Sequence, residues 1–124
     1  MARAKSIKIS EDDVHIHVAK VLRAYARTDI CWWTVPNHGW RGWKAGKKLK
    51  DQGVRKGASD LMLLIDKVLH CLELKVDKGE QSDDQEKFQE DIIRAGGKYY
   101  LAKSFKEAMN VLVQIRALRI QVIE

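Results

Sequence analysis

Two carboxylates and a lysine in this chain come together only if the segment between them folds back on itself. Ser59 to Lys75 reads SDLMLLIDKVLHCLELK, two apolar strands turning at Asp66-Lys67. If the turn is symmetric about that pair, Ile65 lies opposite Val68, Leu64 opposite Leu69, Met62 opposite Cys71 and Asp60 opposite Glu73. Directly opposed residues hold their Cβ atoms about 5 Å apart, so the two carboxylates repel. Both faces of the strands are apolar, which suggests burial on both sides. An Asp, a Glu and a Lys at the end of such a pair cost folding free energy unless something uses them. A divalent cation would remove the repulsion, since Mg²⁺ takes one or two carboxylates plus water and phosphate oxygens. Lys75, next along the same face, could then stabilise or deprotonate an attacking water. The pattern is that of a hydrolytic site.

Several elements must position these residues. Ser10 opens a helix from about Glu11 to Ala26, with Asp13 approximating a capping box. Its inward stripe is Val14, Val18, Val21, Leu22 and Tyr25, and Glu11 falls on that stripe. Glu11 either complements the helix dipole, as Asp12 and Asp13 do, or serves the site. His15, one turn on, orients Glu11 or contacts phosphate, or is a surface histidine. Ile30 to Val35 reads as a short strand ended by Pro36. One of Trp32 and Trp33 should face the core from it.

A long segment follows, Asn37 to Ala58, with five glycines and little periodicity. Loops of this length inside a compact domain are usually functional. All four tryptophans lie in or just before it. Trp40 and Trp43 are interleaved with Arg41, Lys44, Lys47, Lys48 and Lys50, and such mixing suits phosphate neutralisation with ring stacking. A dimer contact or loop packing would also account for the two rings. The tail, Lys48 to Lys56, reads as briefly helical, with Gly57 breaking it. Beyond the hairpin, Val76 to Gln81 is a loop. Ser82-Asp83-Asp84-Gln85 is a capping box opening a helix to about Ala95, with Gly96-Gly97 ending it. Gln85 shares the inward stripe with Phe88 and Ile92, which a cap alone does not explain. Lys98 to Ala102 is a strand, and Ser104 with Glu107 caps a last helix with stripe Phe105, Ala108, Met109, Leu112 and Ile115. Leu118 to Ile123 is a further strand or an oligomer contact. The run from Glu73 to Ala102 is most simply a parallel crossover, and the whole reads αβββαβα.

The 124 residues suffice for one domain, 1–124, with 45% hydrophobic and 32% charged residues and a single Pro arguing against linkers. No apolar run approaches a membrane span, and MARAKSIKIS lacks the apolar core of a signal peptide. Cys31 and Cys71 sit far apart in apolar strands and are expected to be buried free thiols, so a reducing cytoplasm is the expected compartment. The net charge of +6 is unevenly spread: Arg41 to Lys56 holds seven Lys or Arg against one acid, and Asp77 to Asp91 seven acids against two Lys. A concentrated basic loop points to a polyanion. The four histidines and two cysteines lack zinc spacing, no glycine-rich phosphate loop precedes a helix, and no serine sits in a nucleophile motif.

Asp60 followed by Glu73-Leu74-Lys75 resembles the D…ExK signature of the PD-(D/E)XK nuclease superfamily. Together with VPNHG at 35 to 39, KLKDQGVRKGASDLMLL at 48 to 64 and Ser82-x-x-Gln85, it resembles the VRR-NUC branch, the virus-type replication and repair nucleases, over about residues 10–113. Ser59 stands where the superfamily name has Pro, and Lys56 replaces the second Arg of VRR; neither is a metal ligand in the family.

The resemblance implies an α/β fold, an αβββαβ core with a mixed four-stranded sheet flanked by helices, here with an extra C-terminal helix. It implies a Mg²⁺- or Mn²⁺-dependent endodeoxyribonuclease. The metal would be held by Asp60, Glu73, the Leu74 carbonyl and Glu11, directly or through water; Lys75 would assist the water, and Gln85 beside it would orient water or phosphate. DNA contact is expected from Asn37 and His38 within VPNHG, from Arg41, Lys44, Lys47, Lys48, Lys50, Arg55 and Lys56, from Trp40 and Trp43, and from Ser82. Small stand-alone members resemble Holliday-junction resolvases, so a homodimer acting on four-way junctions in a phage or bacterial cell is the leading expectation, with nicked or branched duplex DNA second. A non-catalytic nucleic-acid-binding module of the same fold is the rival, though it has no reason to keep an inward carboxylate pair. A structural or inhibitor-like protein with surface hairpin charges is a third, disfavoured by the concentrated basic residues and tryptophans.

Overall fold

The computed structural model describes residues 9–36, 43–76 and 79–119, with side chains from Gly46 onward in the second stretch. Among the described residues eight elements follow one another: α1 (Glu11–Tyr25), β1 (Cys31–Thr34), α2 (Trp43–Asp51), β2 (Leu61–Ile65), β3 (Val68–Leu74), α3 (Asp83–Arg94), β4 (Lys98–Ala102) and α4 (Phe105–Gln114). The strands form one mixed sheet in the order β1-β2-β3-β4, antiparallel except for the β3–β4 pair that α3 connects. This is the α/β arrangement expected, with α4 as the extra helix.

The β2–β3 hairpin sets the register. Asp66 and Lys67 have φ of 50° and 69°, the left-handed pair a two-residue turn needs to match strand twist. Ile65 pairs with Val68, Leu64 with Leu69, Met62 with Cys71 and Leu61 with Leu72, as a symmetric turn dictates. Alternation then sorts the side chains. On one face Leu61, Leu63, Ile65, Leu72, Leu74 and Ala102 pack under α1 and α4, against Val14, Val18, Leu22, Ala108, Leu112 and Ile115. On the other, Met62 and Cys71 meet Phe88 of α3, with Ala58, Ile92 and Tyr99 around them. Burial of each large side chain stabilises the fold by about 1.5–3 kcal/mol, and the larger cluster fixes α1 and α4 on their face.

The helix starts follow their caps. Ser10 and Asp13 bond reciprocally at the start of α1, and Ser82 and Gln85 at the start of α3. Ser104 Oγ accepts from Glu107 N–H, while the Glu107 carboxylate accepts from Lys103 N–H, one residue before the cap. The α3 helix ends with Gly96 at φ 100°, its N–H donating to the Ile93 carbonyl and that of Gly97 to Ile92.

Several expectations are corrected. A helix occupies Trp43–Asp51, earlier than Lys48 to Lys56. Gly53, not Gly57, ends it: Gly53 has φ 91°, its N–H donates to Lys50, and that of Val54 donates back to Leu49. Tyr25 is exposed at the last turn of α1, and Phe105 is exposed at the first turn of α4, its ring edge-on to His17. Trp32 packs against the core and Trp33 is 43% exposed. Cys71 is buried but Cys31 is exposed, because it lies with Trp33 and Leu64 at the β1–β2 end of the α3 face, where α3 covers β3 and β4 instead. Leu118 makes a single antiparallel bridge to Ala26; residues 120–123 of the expected strand lie outside the described residues. No described helix is long and apolar enough to cross a membrane.

Gly57 does a different job from the one expected. Its φ is 84°, and a Cβ there would stand 2.4 Å from the Asp84 backbone and 2.7 Å from Gln85 N, so the chain entering β2 lies directly against the first turn of α3. At Gly53 a Cβ would meet nothing within 4 Å. Gly53→Ala therefore costs only the left-handed conformation, about 1 kcal/mol, whereas Gly57→Ala adds a backbone collision and costs on the order of 3 kcal/mol or more. Urea unfolding of the two variants checks the ordering, and equal losses would contradict it.

Candidate functional site

The pairing that ends at Leu61–Leu72 carries Asp60 and Glu73 to the open end of the hairpin. Asp60 is held at both ends: its carbonyl accepts from Val35 N–H at 3.0 Å and its Oδ2 accepts from Leu74 N–H at 2.8 Å. The aspartate side chain thus continues the ladder one step past the last paired residues. Glu73 is 2% exposed, on the α3 face. Its Oε2 accepts from Gln85 Nε2 at 3.0 Å, while its Oε1 is buried with no hydrogen-bond donor.

Gln85 explains its own inward position. Its Oε1 accepts from Ser82 N–H at 2.9 Å, closing the capping box, which turns Nε2 toward Glu73. One carboxamide therefore caps α3 and fixes a carboxylate of the sheet. Gln85, expected beside Lys75, is bonded to Glu73 here.

The electrostatics follow from burial. Glu73 is pushed up to about 9, first by burial, then by the charge of Asp60 and a hydrogen bond between the two carboxyl groups, with Glu11 adding repulsion and Lys75 opposing. Two ionised carboxylates can only accept, so Oε1 lacks a donor when both are charged; a proton on Glu73 lets the pair share a hydrogen bond. Burial and the neighbouring Asp60 charge thus favour the protonated form of Glu73.

A cavity of about 290 Å³ opens over this pair. Glu11, Asp12 and His15 line it from α1, Thr34, Val35 and Pro36 from the end of β1, Asp60, Glu73 and Leu74 from the hairpin, and Gln85 from α3. Glu11, exposed at the helix start, therefore reaches the site as well as the dipole. Lys75 is not among the lining residues: its stem passes 3.4 Å from where a Gly79 Cβ would stand, and its N–H is donated to Ala102. Its charge nevertheless acts on Glu73. Among the described residues no three His, Cys, Asp or Glu side chains form a ready-made cage. What the site offers a cation is the Asp60–Glu73 pair, an oxygen without a donor, and room for water, a donor set that suits a hard divalent ion keeping much of its hydration.

The residues expected to touch DNA are scattered. Asn37, His38, Trp40 and Arg41 lie outside the described residues, and Trp43 and Lys44 are placed only as backbone of α2. Lys47 pairs with Asp51 at 2.8 Å, and Lys48 and Lys50 are exposed on the same helix. Lys56 is exposed, and Ser82 is used as the α3 cap. Arg55 is occupied: it pairs with Asp91 and lies over the Phe88 ring at 5.1 Å from the centroid. Asp91 also meets Lys87 and Arg94, and these cations hold its carboxyl far below the usual range, Arg55 most. Thr34 was not singled out in the sequence; its only signal was its place at the end of a strand, next to Val35, whose N–H donates to the Asp60 carbonyl. Gln81 was also missed. Its amide donates to Gln89 at 2.9 Å and to Tyr99 OH at 3.1 Å, tying the loop after Lys75 to α3 and β4.

No protein-family model matches the chain, and no curated protein matches it in sequence. Solved structures do. One described as a "VRR_NUC domain protein" aligns with a TM-score of 0.75 at 20% identity, over 91% of this chain and 93% of that one. Another, described as a "VRR_NUC domain", gives a TM-score of 0.56 at 18% identity, over 84% of this chain and 94% of that one. The likeness is one of fold and spans nearly the whole chain.

Proposed function

We propose that this chain is a divalent-metal-dependent nuclease that hydrolyses DNA phosphodiesters. The observation that carries the reading is Glu73, a buried carboxyl with one oxygen lacking a donor, opposed to Asp60 at the wall of a cavity of about 290 Å³. A group so placed costs stability in the metal-free protein, and a cation is what would use it. Asp60, Glu73, the Leu74 carbonyl and Glu11, directly or through water, are the groups that would hold Mg²⁺ or Mn²⁺. When bound, the ion supplies Lewis-acid polarisation of the phosphoryl oxygen and a lower pKa for the attacking water.

The chain's own residues do the rest. Gln85 holds Glu73 Oε2, leaving Oε1 as the oxygen to be satisfied. Lys75 stabilises charge developing on the phosphoryl group and assists the water from the loop side. The amino ends of α1 and α3 both border the cavity and favour an anion there. Lys47, Lys48 and Lys50 on α2, with the basic and tryptophan-bearing residues of the preceding segment, contact the flanking backbone. The preferred substrate is a four-way junction cut by a symmetric dimer in a bacterial or phage-infected cell, since a dimer supplies the two-fold symmetry that such a junction presents.

Two predictions follow from the pair. Burial and the Asp60 charge push the Glu73 carboxyl up to about 9 from an ordinary 4.5. Between them the native state holds the extra proton, so this group's contribution is complete below pH 4.5 and is lost as pH rises toward 9. Metal-free protein should lose stability across that window by thermal denaturation. Glu73→Gln, which keeps an acceptor for Gln85 without the charge, should flatten the slope and stabilise metal-free protein at pH 8 by roughly 1 kcal/mol or more. An unchanged slope would remove Glu73 as its source.

Function itself is tested with a labelled four-way junction and a matched duplex, in Mg²⁺, Mn²⁺ or EDTA. Wild type should nick the junction only with metal, and Asp60→Asn, Glu73→Gln and Lys75→Ala should each lose about 100-fold or more. Equal cutting of both substrates would discard the junction preference. Salt-sensitive binding without cutting would leave a binding module.

A further inference from the structure

Among the described residues, the cavity is lined by four acids, Glu11, Asp12, Asp60 and Glu73, and by one side chain able to carry positive charge, His15. Lys75, the expected base or charge stabiliser, is not in its lining. His15 sits one turn after Glu11, so the two share a face of α1, and its Nε2 lies 3.2 Å from Thr34 Oγ1. That contact joins α1 to the end of β1. His17, two residues on, is different: its Nδ1 bonds the Asp13 carbonyl of its own helix at 2.8 Å and its ring is exposed. A threonine hydroxyl both donates and accepts, so Thr34 can hold the Nε2 edge of His15 in either protonation state. Nδ1 is then the nitrogen that can meet a substrate.

We propose that His15 is the general acid that protonates the leaving oxygen during phosphodiester cleavage, and that Thr34 positions it. The inference rests on the nuclease reading. Hydrolysis needs such a group, because the departing sugar oxygen leaves as a strong base, and histidine exchanges a proton near neutral pH. In the step, the water oxygen bonds to phosphorus and the bond from phosphorus to the leaving oxygen breaks with its electron pair. That oxygen takes the Nδ1 proton of the imidazolium. The water's proton passes to solvent, from which the imidazole is recharged. Glu11 and Asp12 of α1, Asp60 and Glu73 of the sheet and Gln85 of α3 are the groups around the ring's side of the cavity.

Replacing the leaving oxygen with sulfur tests this, since a thiolate departs without a proton. The product ends of wild-type cleavage first identify which sugar oxygen to replace. His15→Gln should slow the natural substrate about 100-fold or more, within the range for general acids, and cut the sulfur substrate within a few-fold of wild type. Thr34→Val should show a smaller loss with the same rescue, and Lys75→Ala should be slow on both substrates. Melting curves establish that each variant is folded. If His15→Gln slows both substrates alike, or neither, while wild type cuts, the general-acid role is wrong and the nuclease reading stands. If wild type cuts neither, both fall together.

Discussion

The opposition of Asp60 and Glu73 across the hairpin is the constraint on which the rest of the structure turns. Two carboxyl groups about 5 Å apart at the Cβ atoms repel when both are charged, and burial raises the cost of each charge. The surroundings relieve only part of this. Leu74 N–H satisfies Asp60 and Gln85 satisfies one oxygen of Glu73, leaving Oε1 without a donor. A proton on Glu73 relieves the remainder; under the proposed function a divalent ion would take that proton's place, so proton and metal would compete.

Holding this carboxyl pair in place draws much of the structure onto a small volume. The left-handed pair Asp66-Lys67 fixes the register, and a slip of one residue would send Glu73 to the α1 face. Gly57 lets the entry to β2 lie against the first turn of α3, which sets where Gln85 stands. The Arg55–Asp91 pair, with Arg55 over Phe88, fastens the same entry segment further along α3. At the other wall, Ser10 and Asp13 start α1 at the residue before Glu11, and the His15–Thr34 contact seats that helix against the end of β1. The core beneath is ordinary aliphatic packing, and it supplies rigidity.

What could be read beforehand was whatever depended on local rules. Two left-handed turn residues between apolar strands specify pairing by symmetry, so Asp60 faced Glu73 on paper as it does in the fold. The Ser10 and Ser82 caps were legible because a capping box is a three-residue relation. What escaped reading depends on distant partners. Arg55 resembles any other cation of the basic segment until Asp91, 36 residues on, is placed beside it. Gln85 could be seen to point inward, but its bond to Glu73 joins residues on different elements. Cys31 and Tyr25 fit apolar patterns, yet their exposure is decided by where neighbouring elements stop. Gly57 was taken for a helix breaker because a glycine's need for close approach is invisible without the approaching chain.

The central claim is that a divalent ion takes the place of the Glu73 proton. Calorimetric titration of the wild type with Mg²⁺ or Mn²⁺ at pH 7.5, in buffers of differing ionisation enthalpy, counts the protons released on binding. With Glu73 near 9 before binding, the account predicts release of about one proton per ion, and none in Glu73→Gln. Tight binding by wild type without proton release would contradict it, since Glu73 would then be already ionised or outside the ion's coordination.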